Sequence, residues 1–173
     1  AGQLPEAETL TSSGAFANFC FGQGELLATP IQIAAMMNTI AAGGIWREPL
    51  FLECTLDETT GEPLTALAHR SARRVFSAQT ARALRELLAS VVTEGTGHEA
   101  APTESTAAGK TGTAQTGQFA AGKELKNYWF AGFYPARNPR YTIVVLQDGQ
   151  TGPSRTSAAI FARVCDALDA AGE

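Results

Sequence analysis

A lysine, two threonines and two glycines stand together in Gly109-Lys110-Thr111-Gly112-Thr113-Ala114. On a short extended run, these residue types set an ammonium, two hydroxyl donors and unobstructed backbone N–H groups on one surface. Such a surface suits a carboxylate or a developing oxyanion. The plain alternative is a glycine-rich turn with an exposed lysine, and on these residues alone it stays open. Phosphate-binding loops also contain Gly-Lys-Thr, but they need a glycine where Glu104 stands and a helix where Gly112, Gly117 and Gly122 follow. That rival fails. Cys20, Cys54 and Cys165 are odd in number and far apart, and neither His69 nor His98 stands at a zinc-ligand spacing from them. They read as buried or half-buried thiols, so no metal and no cofactor is expected.

The elements that must hold the lysine segment can be read on either side of it. Residues 1–20 lack periodicity and read as an extended surface segment. Thr29-Pro30-Ile31-Gln32 supplies a capping hydroxyl, a proline at the first helical position and a Gln three residues after the cap, predicting a helix to about residue 42, stopped by Gly43-Gly44. Residues 45–76 read as short strands, with Leu50, Phe51, Leu52, Val75 and Phe76 bracketing a hairpin turn over residues 57–63. Ser77 caps a second helix whose Leu84, Leu87, Leu88, Val91 and Val92 make one apolar face, ended by Gly95 and Gly97. Lys123 and Lys126 read as a solvated loop after the motif strand. Residues 128–134 and 141–146 form an antiparallel hairpin around the turn at 135–139, and Ile160, Phe161, Val164, Cys165 and Leu168 make a helical stripe that covers it. Trp129 and Phe130 read as core.

Composition bounds the answer. With 173 residues, 45% hydrophobic and 17% charged, the chain is the size of one ordinary globular domain. A net charge of −4 with 13 Lys plus Arg leaves no basic stripe, which argues against nucleic acid. No stretch reaches the roughly 18 consecutive apolar residues of a membrane span. The first residues carry no signal peptide, and Ala1 reads as a cut site.

Several separated segments, in order and spacing, closely resemble the class B penicillin-binding proteins. They are Phe21-Gly22-Gln23-Gly24 leading into Thr29-Pro30-Ile31-Gln32, the Gly43-Gly44 helix end, Glu94-Gly95-Thr96-Gly97, the lysine segment, and Trp129-Phe130-Ala131-Gly132-Phe133-Tyr134-Pro135. The resemblance implies an α+β fold of the penicillin-binding and serine β-lactamase type, here partial: an antiparallel sheet with packed helices, with residues 1–173 as the C-terminal part of the transpeptidase domain. That family uses Ser-x-x-Lys, Ser-x-Asn and Lys-Thr-Gly. Here no lysine has a serine three residues before it and no asparagine has one two before it. Both missing motifs are expected upstream of Ala1.

The resemblance further implies a D,D-transpeptidase that cross-links peptidoglycan stem peptides by serine acyl transfer at D-Ala-D-Ala and binds β-lactams. Lys110 would hold charge near the substrate carboxylate and support proton movement. Thr111 and Thr113 would bond that carboxylate, the Thr113 N–H would complete the oxyanion hole, and Gly112 would let the substrate backbone lie close. Gly22, Gln23 and Gly24 are expected to give structural support only. The intact protein is expected outside the cytoplasmic membrane, anchored by an N-terminal helix. A non-catalytic module binding cell-wall peptide or β-lactam is the alternative, and a serine β-lactamase is disfavoured by residues 129–135. The upstream helical part should pack between the helix beginning at Pro30 and an edge or face of the sheet, and without it the chain is expected to be inactive and to self-associate.

Overall fold

Three well-capped helices and one antiparallel sheet organise the computed structural model, which describes residues 2–52, 54–66, 71–152 and 155–172. Helix α2 spans Pro30–Ala41, and α1 is the short Ser13–Cys20 before it. Thr29 Oγ1 accepts from the Gln32 N–H at 3.3 Å while Gln32 Oε1 accepts from the Thr29 N–H at 2.9 Å, so the capping box closes as the sequence predicts. Ser77 caps α3, Ala78–Thr93, and Thr156 caps α4, Ser157–Ala170. Among the described residues no helix is long and apolar enough to cross a membrane.

The main sheet has the order β5-β6-β7, with β5 at Ala108–Ala120, β6 at Lys123–Tyr134 and β7 at Tyr141–Gln150. Successive side chains on a strand point to opposite faces, and both faces here are apolar. Phe130 and Tyr134 join Ile143 and Val145 on one face, where Phe161 and Cys165 of α4 cover them. The Phe130 and Phe161 rings meet at 4.7 Å. Ala131, Phe133 and Val144 fill the other face against Met37 and Ile40 of α2 and Leu84 and Leu88 of α3. The result is a helix–sheet–helix sandwich, and the expected α+β class holds. Each fully buried Phe contributes about 1.5–3 kcal/mol of transfer free energy.

Several sequence expectations are corrected. The segment 1–20 is not simply extended: it holds a 3-10 turn at Ala7–Leu10 and α1, whose Ser12 hydroxyl accepts from the Ala15 N–H. Neither element buries a residue, so no hydrophobic period marked them. Cys20 is exposed, whereas Cys54 is half-buried and Cys165 buried. Within 45–76 the strands are β1 (Ile45–Arg47) paired with β4 (Ala72–Arg74), and β2 (Cys54–Leu56) paired with β3 (Pro63–Ala66). Leu50, Phe51 and Leu52 lie outside them and are exposed. Lys123 and Lys126 belong to β6, not to a loop, because β5 and β6 join through two residues, Ala121 and Gly122, with φ of 49° and 76°. Two consecutive positive φ values are what a tight hairpin turn needs. Helix α2 packs directly on one sheet face, so an upstream helical part cannot lie between α2 and that face. His69 and Pro153 lie outside the described residues.

Candidate functional site at the free edge of strand β5

Among the described residues, strand β5 pairs with β6 alone and its other edge is open. Two hydrogen bonds fix which backbone groups line that edge. Lys110 Nζ donates to the Thr111 carbonyl at 3.2 Å, and Gln23 Nε2 donates to the Thr113 carbonyl at 2.9 Å. In an antiparallel strand the N–H and C=O of one residue point the same way and alternate residues share a direction. Thr111 and Thr113 therefore turn both backbone groups outward, while Lys110 and Gly112 bond inward opposite Ala131 and Trp129.

Side chains add to this edge. Thr111 and Thr113 share one face of the strand, and Lys110, on the other face, curls its exposed chain around the edge so that Nζ lies 3.1 Å from Thr111 Oγ1. Among the described residues no carboxylate forms an ion pair with Lys110. Its charge is thus available to an anion, and Thr113 is exposed two residues further along. Gly112 lies over Trp129: a Cβ added there would stand 3.4 Å from the Trp129 Cβ. The structure so brings Lys110, Thr111, Gly112 and Thr113 together on one strand edge. Trp129 is only half-buried, whereas Phe130 is core.

Two residues join them that sequence reasoning gave no role at this edge. Gln23, read there as turn support, sends its carboxamide to the motif strand. Thr96, in the turn after α3, places Oγ1 3.3 Å from Thr111 Oγ1. No spacing rule could reveal contacts between segments so distant in the chain. Among the described residues, no cluster of three His, Cys, Asp or Glu could hold a metal.

An open strand edge with outward N–H and C=O groups can take an extended peptide as an added strand. A cation and hydroxyls beside that edge would select a peptide ending in a carboxylate. The chain carries no Ser-x-x-Lys, so the edge presents a cation, hydroxyls and outward backbone N–H groups without that nucleophile.

The family model of the penicillin binding protein transpeptidase domain matches residues 1–166. Penicillin-binding protein PbpB of Mycolicibacterium smegmatis is 35% identical over 182 residues, covering 96% of this chain and 28% of that protein. Among solved structures, penicillin binding protein 3 of Mycobacterium tuberculosis in its apo form superposes with a TM-score of 0.84 at 32% identity, covering 99% of this chain and 41% of that one. The same protein complexed with ampicillin gives a TM-score of 0.83 at 32% identity, covering 99% and 40%. The chain thus spans between a quarter and a half of the length of these relatives.

Proposed function

We propose, because this chain belongs to the penicillin-binding protein transpeptidase domain family, that it supplies the substrate-binding strand of a peptidoglycan D,D-transpeptidase. One observation carries the reading: the Lys110 ammonium and the Thr111 and Thr113 backbone groups meet on the open edge of β5. A stem peptide ending in D-Ala-D-Ala lies along that edge, its terminal carboxylate beside Lys110, Thr111 and Thr113. Gly112 keeps the strand low there. A serine from preceding residues of the same protein attacks the penultimate carbonyl, and the Thr113 N–H, facing outward, donates to the oxygen as it becomes an oxyanion. The C–N bond breaks, the last alanine leaves with a proton, and an amine of a neighbouring strand takes the acyl group from the ester. A β-lactam enters by the same edge, its ring C–N bond breaks as the serine attacks, and the serine stays acylated because the amine remains on the same molecule. This chemistry belongs outside the cytoplasmic membrane, where its substrate is.

The chain's lack of Ser-x-x-Lys favours one alternative, a module that binds cell-wall peptide or β-lactam without turnover. Fluorescent penicillin applied to the full-length protein, followed by denaturing electrophoresis, separates the two. Stoichiometric, boiling-resistant label is expected. Reversible binding without label would make the protein a binding module, and neither binding nor label would sink both readings.

A further inference from the structure

The hydroxyl of Thr111 has two neighbours, one from its own strand and one from the far end of α3. Lys110 Nζ lies 3.1 Å from Thr111 Oγ1, and Thr96 Oγ1 lies 3.3 Å from it. Thr96 is held there by its surroundings. It stands between Gly95 and Gly97 in a turn pressed onto the last turn of α3, where the Gly97 N–H donates to the Val91 carbonyl at 3.0 Å. A Cβ at Gly95 would come within 2.9 Å of Val91 backbone atoms, and one at Gly97 within 2.9 Å of Val91 Cγ1 and 3.2 Å of the Phe130 ring. Phe130 is fully buried and is the β6 residue directly opposite Thr111. The same ring therefore lies against the turn that carries Thr96 and against β5 at Gly109, two residues before Thr111, where an added Cβ would come within 2.6 Å of it.

A threonine hydroxyl has one proton and two lone pairs, and an ammonium can only donate. Lys110 therefore fills one lone pair of Thr111 Oγ1. If Thr96 donates into the second, the single proton of Thr111 has no intramolecular acceptor at either contact and turns to the open edge. We infer that Thr96 is a positioning residue: its hydroxyl donates to Thr111 Oγ1 and reserves the Thr111 proton for an anion bound along β5. This rests on the transpeptidase reading, in which that anion is the carboxylate of the substrate or of a penicillin. The step is preorganisation: the hydrogen bond to the ligand is set before the ligand arrives.

The test measures the second-order rate of acylation by penicillin in the full-length protein. Thr96→Val keeps the shape and removes the hydroxyl, and should slow acylation about ten-fold, the worth of one neutral hydrogen bond. Thr96→Ser should restore the rate. In a Thr111→Val background, Thr96→Val should cause no further loss, because a positioning residue has nothing left to position. A merely structural Thr96 would instead show equal losses in both backgrounds. Equal losses, or a Thr96→Val rate within about two-fold of the unmodified protein, well under the effect of one hydrogen bond, overturn the inference. Should Thr96→Val lower the melting temperature, Thr96→Ala in the same cycle decides by the same criterion. An unmodified protein that takes no label overturns the transpeptidase reading and this inference with it, whereas labelled unmodified protein with an insensitive Thr96 overturns the inference alone.

Discussion

Lys110 and Thr111 are adjacent in sequence, and their side chains start on opposite faces of β5, yet the ammonium reaches the hydroxyl at 3.1 Å. Only a long, flexible side chain at a strand edge can do this. Lys110→Ala in the full-length protein is expected to slow acylation by about a hundred-fold, the scale of one lost oxyanion-site group. The melting temperature should stay unchanged, since the side chain is exposed. Thr111→Val should act differently, raising the penicillin concentration needed for half-maximal acylation more than it lowers the limiting rate. Rates within a few-fold of the unmodified protein for both variants would remove these residues from the site. Gly132 limits the same region from below. It faces Gly109 across β5 and β6, and a Cβ there would lie 2.4 Å from the Ala108 carbonyl oxygen and 3.1 Å from the Phe161 ring. Gly132→Ala should therefore cost about 3 kcal/mol by overpacking, read as a lower denaturation midpoint with unchanged slope.

At the scale of elements, α4 is tied to the sheet by polar contacts near both of its ends: Ser157 Oγ donates toward the Tyr128 carbonyl and Gln147 Oε1, each at 2.9 Å, and Asp169 meets Tyr134. The Tyr134 hydroxyl donates to both Asp169 carboxylate oxygens, at 2.6 and 2.5 Å, close to the buried Cys165. Burial, then the hydrogen bond to Asp169, pushes the Tyr134 phenol from 10.0 up to about 12, against a smaller opposing hydrogen bond from Ser105. Burial, then the charges of Asp166 and Asp169, pushes the Cys165 thiol from 9.0 up to about 12. Both folded values lie above the unfolded ones, so the fold favours the protonated forms. The stability this brings is complete below the unfolded values of 9.0 and 10.0 and is lost as pH rises toward 12. Unfolding free energy measured across that window should fall with pH, and Tyr134→Phe should flatten part of the slope. The same variant should cost about 2 kcal/mol at neutral pH, because Asp169 loses a charge-assisted partner. An unaltered slope would show that α4 docking does not depend on the phenol.

For the whole molecule, the question is what the apolar surface of this chain meets when the chain stands alone. A groove of about 610 Å³ runs between α2 and the β1–β4 pair, lined by Ile31, Met36, Trp46, Phe51 and Val75 among others. Phe51 is 83% exposed and Phe21 67% exposed. Among the described residues, both outer strands of the sheet, β5 and β7, also have an unpaired edge. The isolated 173-residue chain should therefore form dimers or larger species, visible by light scattering coupled to size exclusion across a dilution series. A monomer with a sharp cooperative melt would show instead that the two-faced sandwich is sufficient by itself. The isolated chain should also take no covalent label from fluorescent penicillin, and a boiling-resistant band would reveal a nucleophile other than Ser-x-x-Lys.

By itself the sequence determined what is local or periodic. The capping box at Thr29 and Gln32, the cap at Ser77, and the apolar stripes of α3 and α4 are legible because helix ends and helix faces depend on residues three and four apart. The motif around Lys110 is legible for a related reason, since four consecutive residues on one strand have a fixed relation to its edge. The elements of segment 1–20 bury no residue and so follow no pattern, whereas within 45–76 the short strands and the turn near 57–63 are legible although Leu50, Phe51 and Leu52 fall outside the strands. What only the tertiary structure decided is which edge of β5 is open and which distant groups reach it. Thr96 meets Thr111 because the turn around Gly95 and Gly97 packs on Val91 and the Phe130 ring, and Gln23 meets Thr113 from the turn before α2; contacts between segments so distant leave no spacing in the chain.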